Sequence, residues 1–223
     1  IKPLEDQARD ILKSKYSTNN IIQSPLALEA FLYKNNNSTN YQTSHPIMWG
    51  YKVSKKNKKF FKRNNSIKLL HAGTSKSLCV RPFIYETSNE YISSLNTLCD
   101  SVNRFENVEL IIKVRSTDEC TIETIENLVS MGKNCRIIKD AEFVDILDDC
   151  DYLISFSSTT IEESLNLFKP VILYGYSNRY IHLDSDNKII YNVKKSKLDK
   201  TFSSIFDNHK KNNLLKKDFY KYI

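Results

Sequence analysis

Four consecutive hydroxyl residues, Ser157, Ser158, Thr159 and Thr160, run directly into the carboxylates Glu162 and Glu163, the densest concentration of usable chemistry in this chain. Hydroxyls beside the unpaired N–H groups of a helix start suit a phosphate, because those donors carry partial positive charge and point outward. A carboxylate one turn further in can accept from both hydroxyls of a ribose. The same letters also spell an ordinary capping box, a Ser or Thr followed by a glutamate at a helix start. Position in the fold must decide between the two.

The elements around this turn follow from hydrophobic periodicity. Tyr152 to Phe156 is an apolar run too short for a helix, and the segment after the turn is amphipathic before a second apolar run at 170–174. The alternation extends backward. Strands are expected at 67–71, 108–114, 135–138 and 152–156, with helices at 87–104, 119–131, 142–148 and 159–167 between and after them. Strands separated by helices imply right-handed crossovers, and near-continuous apolar strands imply a sheet covered on both faces. The expected class is therefore α/β, a Rossmann-like parallel sheet over residues 66–200. Residues 1–65 read as a partial αβ segment, with a helix at 5–16 and a strand at 20–23, an Asn-rich loop at 34–41 and a basic linker. Residues 201–223 read as a helical tail with Phe202, Ile205, Phe206 and Phe219 among its apolar positions.

In a parallel sheet of this kind ligands bind beyond the carboxyl ends of the strands, which selects further residues. Gly73 can let a backbone approach a phosphate, and Thr74 adds a hydroxyl. His71 reads either as a proton carrier or as a packed, hydrogen-bonded strand residue. Arg115 reads either as a clamp on phosphate or as an ion-pair partner of Asp118, Glu119 or Glu123, with Lys113 a lesser case of the same choice. Phe143 is either a lid over a base or a core residue of its helix. Lys76, Arg81, Tyr176 and Asn178 are within reach of the same edge in sequence terms.

Composition narrows the class. Five cysteines at wide spacing, without a CxxC pair or Cys/His cluster, suit buried thiols in a reducing compartment and indicate no zinc site. No apolar stretch approaches the roughly 20 residues of a transmembrane helix. The net charge of +7 is uneven, with 13 basic and 4 acidic groups in residues 1–70 but 8 and 14 in residues 71–150. The run from Lys52 to Arg63 could meet an anionic membrane, while the absence of any nucleic-acid module argues against nucleic acid. Asp148, Asp149 and Asp151 read as a helix end and a solvated surface in preference to a metal site.

Cys150-Asp-Tyr-Leu153, Ser155-Phe-Ser-Ser-Thr-Thr-Ile-Glu-Glu-Ser164 and Lys169-Pro-Val-Ile-Leu-Tyr-Gly175 together resemble the donor-binding C-terminal half of GT-B glycosyltransferases. They are also similar to the related nucleotide-sugar 2-epimerases and the surface and capsular polysaccharide synthesis proteins of that fold. The likeness covers about residues 67 to 200, and residues 1–33 look like the end of the family's acceptor domain. It implies that Glu162 grips the ribose, that Ser157, Ser158, Thr159, Thr160, Gly73 and Thr74 hold phosphate, and that Arg115 stabilises the leaving nucleotide. Phe143 would then lie over the base. In the epimerases the matching turn is Ser-Gly-Gly, so Ser158 and Thr159 are departures, similar to the serine pair of bacterial GT-B sialyltransferases. The His-Pro pair of those enzymes has no counterpart at Lys113 to Ser116.

The resemblance implies a glycosyltransferase, or its donor-binding portion, moving a sugar from a nucleotide-sugar to a surface glycan or lipid-linked glycan acceptor without metal or cofactor. A cytoplasmic setting, peripheral to the inner membrane face, goes with it. The catalytic base is unknown, usually comes from the other domain, and has only His71 as a candidate here. Alternatives are a nucleotide-sugar 2-epimerase or polyol-phosphate transferase of the same fold, and a non-catalytic nucleotide-binding or scaffold module.

Overall fold

The computed structural model describes residues 19–22, 39–42, 66–73, 86–115, 120–156, 158–175, 188–211, 214 and 216–219. A small parallel pair, β1 (Asn19–Ile22) and β2 (Thr39–Gln42), aligns Asn19 with Thr39 and Ile22 with Gln42. The main body is β3 (Ile67–Gly73), α1 (Ser88–Val102), β4 (Val108–Val114), α2 (Ile122–Leu128), β5 (Cys135–Ile138), α3 (Phe143–Asp149), β6 (Tyr152–Ser155), α4 (Thr160–Asn166), β7 (Val171–Tyr174), β8 (Ile190–Val193) and α5 (Leu198–Lys211). Short 3-10 turns stand at Lys195–Lys197 and Lys216–Asp218.

Six strands form one sheet in the order β5-β4-β3-β6-β7-β8, and every neighbouring pair is parallel. The chain moves outward from β3 to β5, returns to β6 beside β3, then moves outward to β8. The order therefore reverses between β3 and β6, where a parallel sheet opens a crevice beyond its carboxyl ends. Register sets His71 of β3 opposite Ile154 of β6 and Gly73 opposite Val114 of β4.

Alternation along each strand divides the core into two layers. Leu69, Leu110, Ile112, Ile154 and Ile172 pack with Leu95, Leu98 and Val102 of α1 and with Phe202, Ile205 and Phe206 of α5. Leu70, Ile111, Leu153, Val171 and Leu173 pack with Ile146 and Leu147 of α3, Ile161 and Leu165 of α4, and Phe219. Both faces of the strands are buried, which explains their nearly continuous apolar letters. Helix starts are set by side-chain caps. Thr87 Oγ1 accepts from the Glu90 N–H at 3.3 Å while Glu90 returns a carboxylate to the Thr87 N–H at 2.9 Å, and Thr121 caps α2 through the Thr124 N–H. Between α2 and β5, Gly132 has φ +65°, and a side chain there would meet Asn103, whose amide joins the Met131 carbonyl to the Asn134 N–H.

The expected strands and helices of the sheet appear within a few residues of their expected bounds. Residues 34–41, read as a loop, end instead in β2. Thr39 and Tyr41 carry strand propensity, but Asn-rich neighbours erase the alternation, and only pairing with β1 reveals the strand. β8 has no counterpart among the expected strands. The tail helix begins at Leu198 and is built into the first core layer, with Phe105 edge-on to Phe206 at 5.0 Å and Phe202 stacked on Phe206 at 5.4 Å. The expected helix at 5–16 and the basic run at 52–63 lie outside the described residues.

Phe202 is fully buried, so Phe202→Ala should remove about 3–5 kcal/mol of stability. Denaturant unfolding of the variant would show the loss, whereas a change under about 1 kcal/mol would mean that α5 docks only loosely on the sheet.

Candidate functional site

The crevice between β3 and β6 gathers polar groups from four elements. From β3 come His71 and Gly73, and from the start of α1 come Ser88 and Tyr91. From the end of β6 comes Ser155, followed by Ser158 to Thr160 and the first turn of α4 with Glu162 and Glu163. His71 is 4% exposed, and its ring lies 6.0 Å from the Tyr91 ring across the carboxyl end of the sheet. Gly73 sits against both rings. A Cβ on it would stand 2.9 Å from His71 Cε1 and 3.3 Å from Tyr91 Cε2, so only glycine fits beneath them.

Five buried polar atoms at this edge make no hydrogen bond among the described residues: His71 Nδ1, Ser88 Oγ, Tyr91 OH, Ser155 Oγ and Thr160 Oγ1. Each costs about 1–3 kcal/mol in lost solvation if it stays unsatisfied. Folded proteins rarely tolerate several such groups together without a ligand or water to meet them. Their coincidence with the point where strand order reverses marks this edge as the candidate binding site.

Within the hydroxyl turn, Ser158 supplies the side-chain hydrogen bond at the helix start. Its Oγ accepts from the Thr160 N–H at 3.3 Å and its carbonyl accepts from the Ile161 N–H at 3.1 Å, while Thr159 forms no side-chain cap. Part of the donor set expected for an anion is thus engaged internally, and the Ser158 hydroxyl hydrogen remains to donate outward. Thr159 is exposed, and Thr160 is half-buried. Glu162 and Glu163 are both buried in the first turn of α4, where the helix dipole favours negative charge.

The remaining expected residues separate. Arg115 is exposed just past β4 and makes no ion pair among the described residues. Lys113 is half-buried and alternates onto the Ile111 face, the side of α3 and α4. Phe143 opens α3 half-buried and packs against the second core layer, which is the core alternative of its two readings. Thr74, Ser157, Lys76, Arg81, Tyr176 and Asn178 lie outside the described residues. The acidic run is occupied structurally. Asp149 pairs with Lys68 at 2.6 Å, and Asp151 accepts from the Lys68 N–H at 2.8 Å.

Ser155, Tyr91, Ser88, Glu86 and Phe156 did not stand out from sequence. Ser155 reads as strand interior and Tyr91 as helix core, and only the fold shows that their polar atoms end at the crevice. Phe156 covers Gly175, where a Cβ would come within 2.1 Å of its ring, so the glycine after β7 exists for a contact made by the turn after β6. Burial alone lowers the His71 pKa to about 4, so the ring is neutral at pH 7.

No family model and no curated protein sequence matches this chain. Solved structures do. UDP-GlcNAc 2-epimerase from Neisseria meningitidis, bound to UDP-GlcNAc, superposes at TM-score 0.59 and 13% identity over 99% of this chain and 62% of that one. The chain carries a GT-B-like fold. Sucrose-phosphate synthase from Thermosynechococcus elongatus aligns at TM-score 0.50 and 14% identity, covering 98% of this chain and 58% of that one. The accessory secretory proteins 1, 2 and 3 of Streptococcus pneumoniae give TM-score 0.56 at 12% identity, over 94% of this chain and 41% of theirs. The chain thus spans about two fifths to three fifths of the length of these neighbours. Among the described residues no helix is long and apolar enough to cross a membrane.

A histidine whose pKa is lowered from 6.5 to about 4 on folding binds fewer protons than the unfolded chain between those values. Stability contributed by the neutral ring is therefore complete above pH 6.5 and lost as pH falls toward 4. His71→Gln should flatten the decline of stability over this window, by up to about 3 kcal/mol, in thermal melts at stepped pH. An unchanged profile would place the His71 ring in contact with water.

Proposed function

We propose that this chain is the nucleotide-sugar-binding portion of a GT-B glycosyltransferase that moves a sugar to a glycan or lipid-linked glycan acceptor. The observation that carries the reading is the set of buried polar atoms without hydrogen bonds among the described residues, at the point where strand order reverses in a GT-B-like sheet. Such a fold shows only architecture, so the function rests on the chemistry of this edge.

The roles divide by chemical type. Glu162 accepts from the adjacent ribose hydroxyls, fixing the nucleoside against α4. Ser158, Thr159 and Thr160 offer hydroxyl donors to the phosphates, a role that the sequence also gives to Ser157, Gly73 and Thr74. Arg115, exposed at the neighbouring strand end and carrying a forked guanidinium, meets the charge that develops on the leaving phosphate. In this scheme the leaving group needs no divalent metal. In this scheme His71, buried and neutral, is a poor candidate for the residue that deprotonates the acceptor.

A 2-epimerase must remove and return a proton at carbon, which calls for acid and base groups poised around the sugar. A histidine held at a pKa of about 4 is a weak base for that task. The sugar-transfer reading also accommodates surface polysaccharide assembly and a peripheral position at the inner membrane face.

Calorimetric titration with UDP, GDP, CDP and CMP should reveal binding by one of them, unchanged by EDTA. Glu162→Gln should weaken it about tenfold or more, since a hydrogen bond to a charged group contributes about 1.5–3 kcal/mol. Absence of binding by all four, or indifference to the Glu162 change, would refute the donor-site reading.

A further inference from the structure

We propose that the Phe156 ring, seated on Gly175, is the positioning contact that holds the hydroxyl turn at the carboxyl edge of the sheet, so that the end of β7 sets the geometry of the donors carried between β6 and α4. The consequence for a nucleotide rests on the donor-site reading above. The positioning of the turn does not.

The two ends of the turn are fixed independently. On one side Ser155, fully buried, is paired in register with Leu173 of β7. On the other, α4 is pinned by Ile161 and Leu165, both fully buried in the second core layer. Residues 156–160 bridge these anchors, and Phe156 is the first of them. Its ring is where the bridge meets the neighbouring strand end. A Cβ on Gly175 would stand 2.1 Å from Phe156 Cδ2, 2.7 Å from Cε2 and 2.8 Å from Cγ, and these three nearest atoms all belong to that ring. Cγ is the root of the ring, so a methyl group here is not avoided by a small movement of the ring's far edge. Either the whole ring swings to another rotamer or the backbone of Phe156 moves, and both empty the seat. Gly175 is buried and Phe156 half-buried, which makes this a packed contact and not a brush between exposed loops.

What the seat holds in place is the internal wiring of the turn. Two residues beyond Phe156, Ser158 Oγ accepts from the Thr160 N–H at 3.3 Å and the Ser158 carbonyl accepts from the Ile161 N–H at 3.1 Å. The Thr159 carbonyl accepts from the Glu163 N–H at 3.2 Å. All three bonds are longer than the usual N–H···O distance, so they hold the turn weakly by themselves. Phosphate donors act only when they converge, and a displacement of about 1 Å in such a constellation costs as much as about 100-fold.

Amide hydrogen exchange on the ligand-free chain tests the turn directly. Gly175→Ala should speed exchange at Ile161 and Glu163 about tenfold, while the Lys68 and Asp151 amides, bonded to each other's residue at the opposite end of the sheet, stay unchanged. Phe156→Ala, which only removes atoms, should speed the same turn amides, and adding Gly175→Ala to it should change nothing further. Calorimetry with the nucleotide that the wild-type chain binds should follow the same pattern, with about a tenfold loss for Gly175→Ala and no additional loss once Phe156→Ala is present. Unchanged exchange at Ile161 and Glu163 in both single variants overturns the proposal, as does a rise shared equally by Lys68 and Asp151. A Gly175→Ala effect of the same size with and without the ring also overturns it. So does faster exchange in the turn with undiminished affinity, which would make the contact a matter of folding alone. If the wild-type chain binds no nucleotide, faster exchange confined to the turn upholds the positioning and refutes only the donor-site reading.

Discussion

The clasp between β3 and β6 is the constraint on which the rest of this structure depends. Lys68 N–H donates to the Asp151 carboxylate at 2.8 Å, and Asp151 N–H donates to the Lys68 carbonyl at the same distance. These two residues, 83 positions apart, join the amino ends of strands whose sequence neighbours lie on opposite sides of the sheet. Burial pushes the Asp151 carboxyl above its usual range, so the clasp carries a desolvation cost that the Lys68 N–H partly offsets. With the lower ends held in register, the upper ends of β3 and β6 must stand side by side, and His71 is set beside Ile154. The crevice is the far consequence of that pairing.

The same end of the sheet is closed by further polar contacts. Lys169 Nζ, half-buried, donates to the carbonyls of Asp148 and Cys150 at 2.9 and 2.6 Å and so satisfies the last turn of α3. His209 of α5 lies 5.7 Å from the Tyr152 ring, next to Asp151. The amino edge is therefore densely hydrogen-bonded, while the carboxyl edge holds hydroxyls and an imidazole that make no such bonds among the described residues.

Much of the main sheet was legible from sequence because its strands and helices differ in period and length. Val171 to Tyr174 and Tyr152 to Ser155 are apolar throughout because both faces are covered, and the intervening helices carry their own caps at Thr87 and Thr121. β2 was not legible, since its Thr and Tyr lie among asparagines and gain strand character only by pairing with β1. The hydroxyl turn was legible as a cluster of donors, but its wiring was not. Any of its four hydroxyls could cap the helix on paper, and in the fold it is Ser158 whose Oγ accepts from the Thr160 N–H.

Sequence by itself determined the α/β alternation, the polar turn after β6 and the carboxylates that follow it, because those depend on local periodicity and side-chain chemistry. Tertiary structure alone decided which of these residues share a site. His71, Tyr91 and Ser155 belong to separate elements; Tyr91 and Ser155 read as core in their own segments, and His71 as either a proton carrier or a packed strand residue. Only the strand order, which returns the chain from β5 to β6 beside β3, brings their polar atoms to one edge, since pairing between distant strands is a property of the folded sheet and not of any window of sequence.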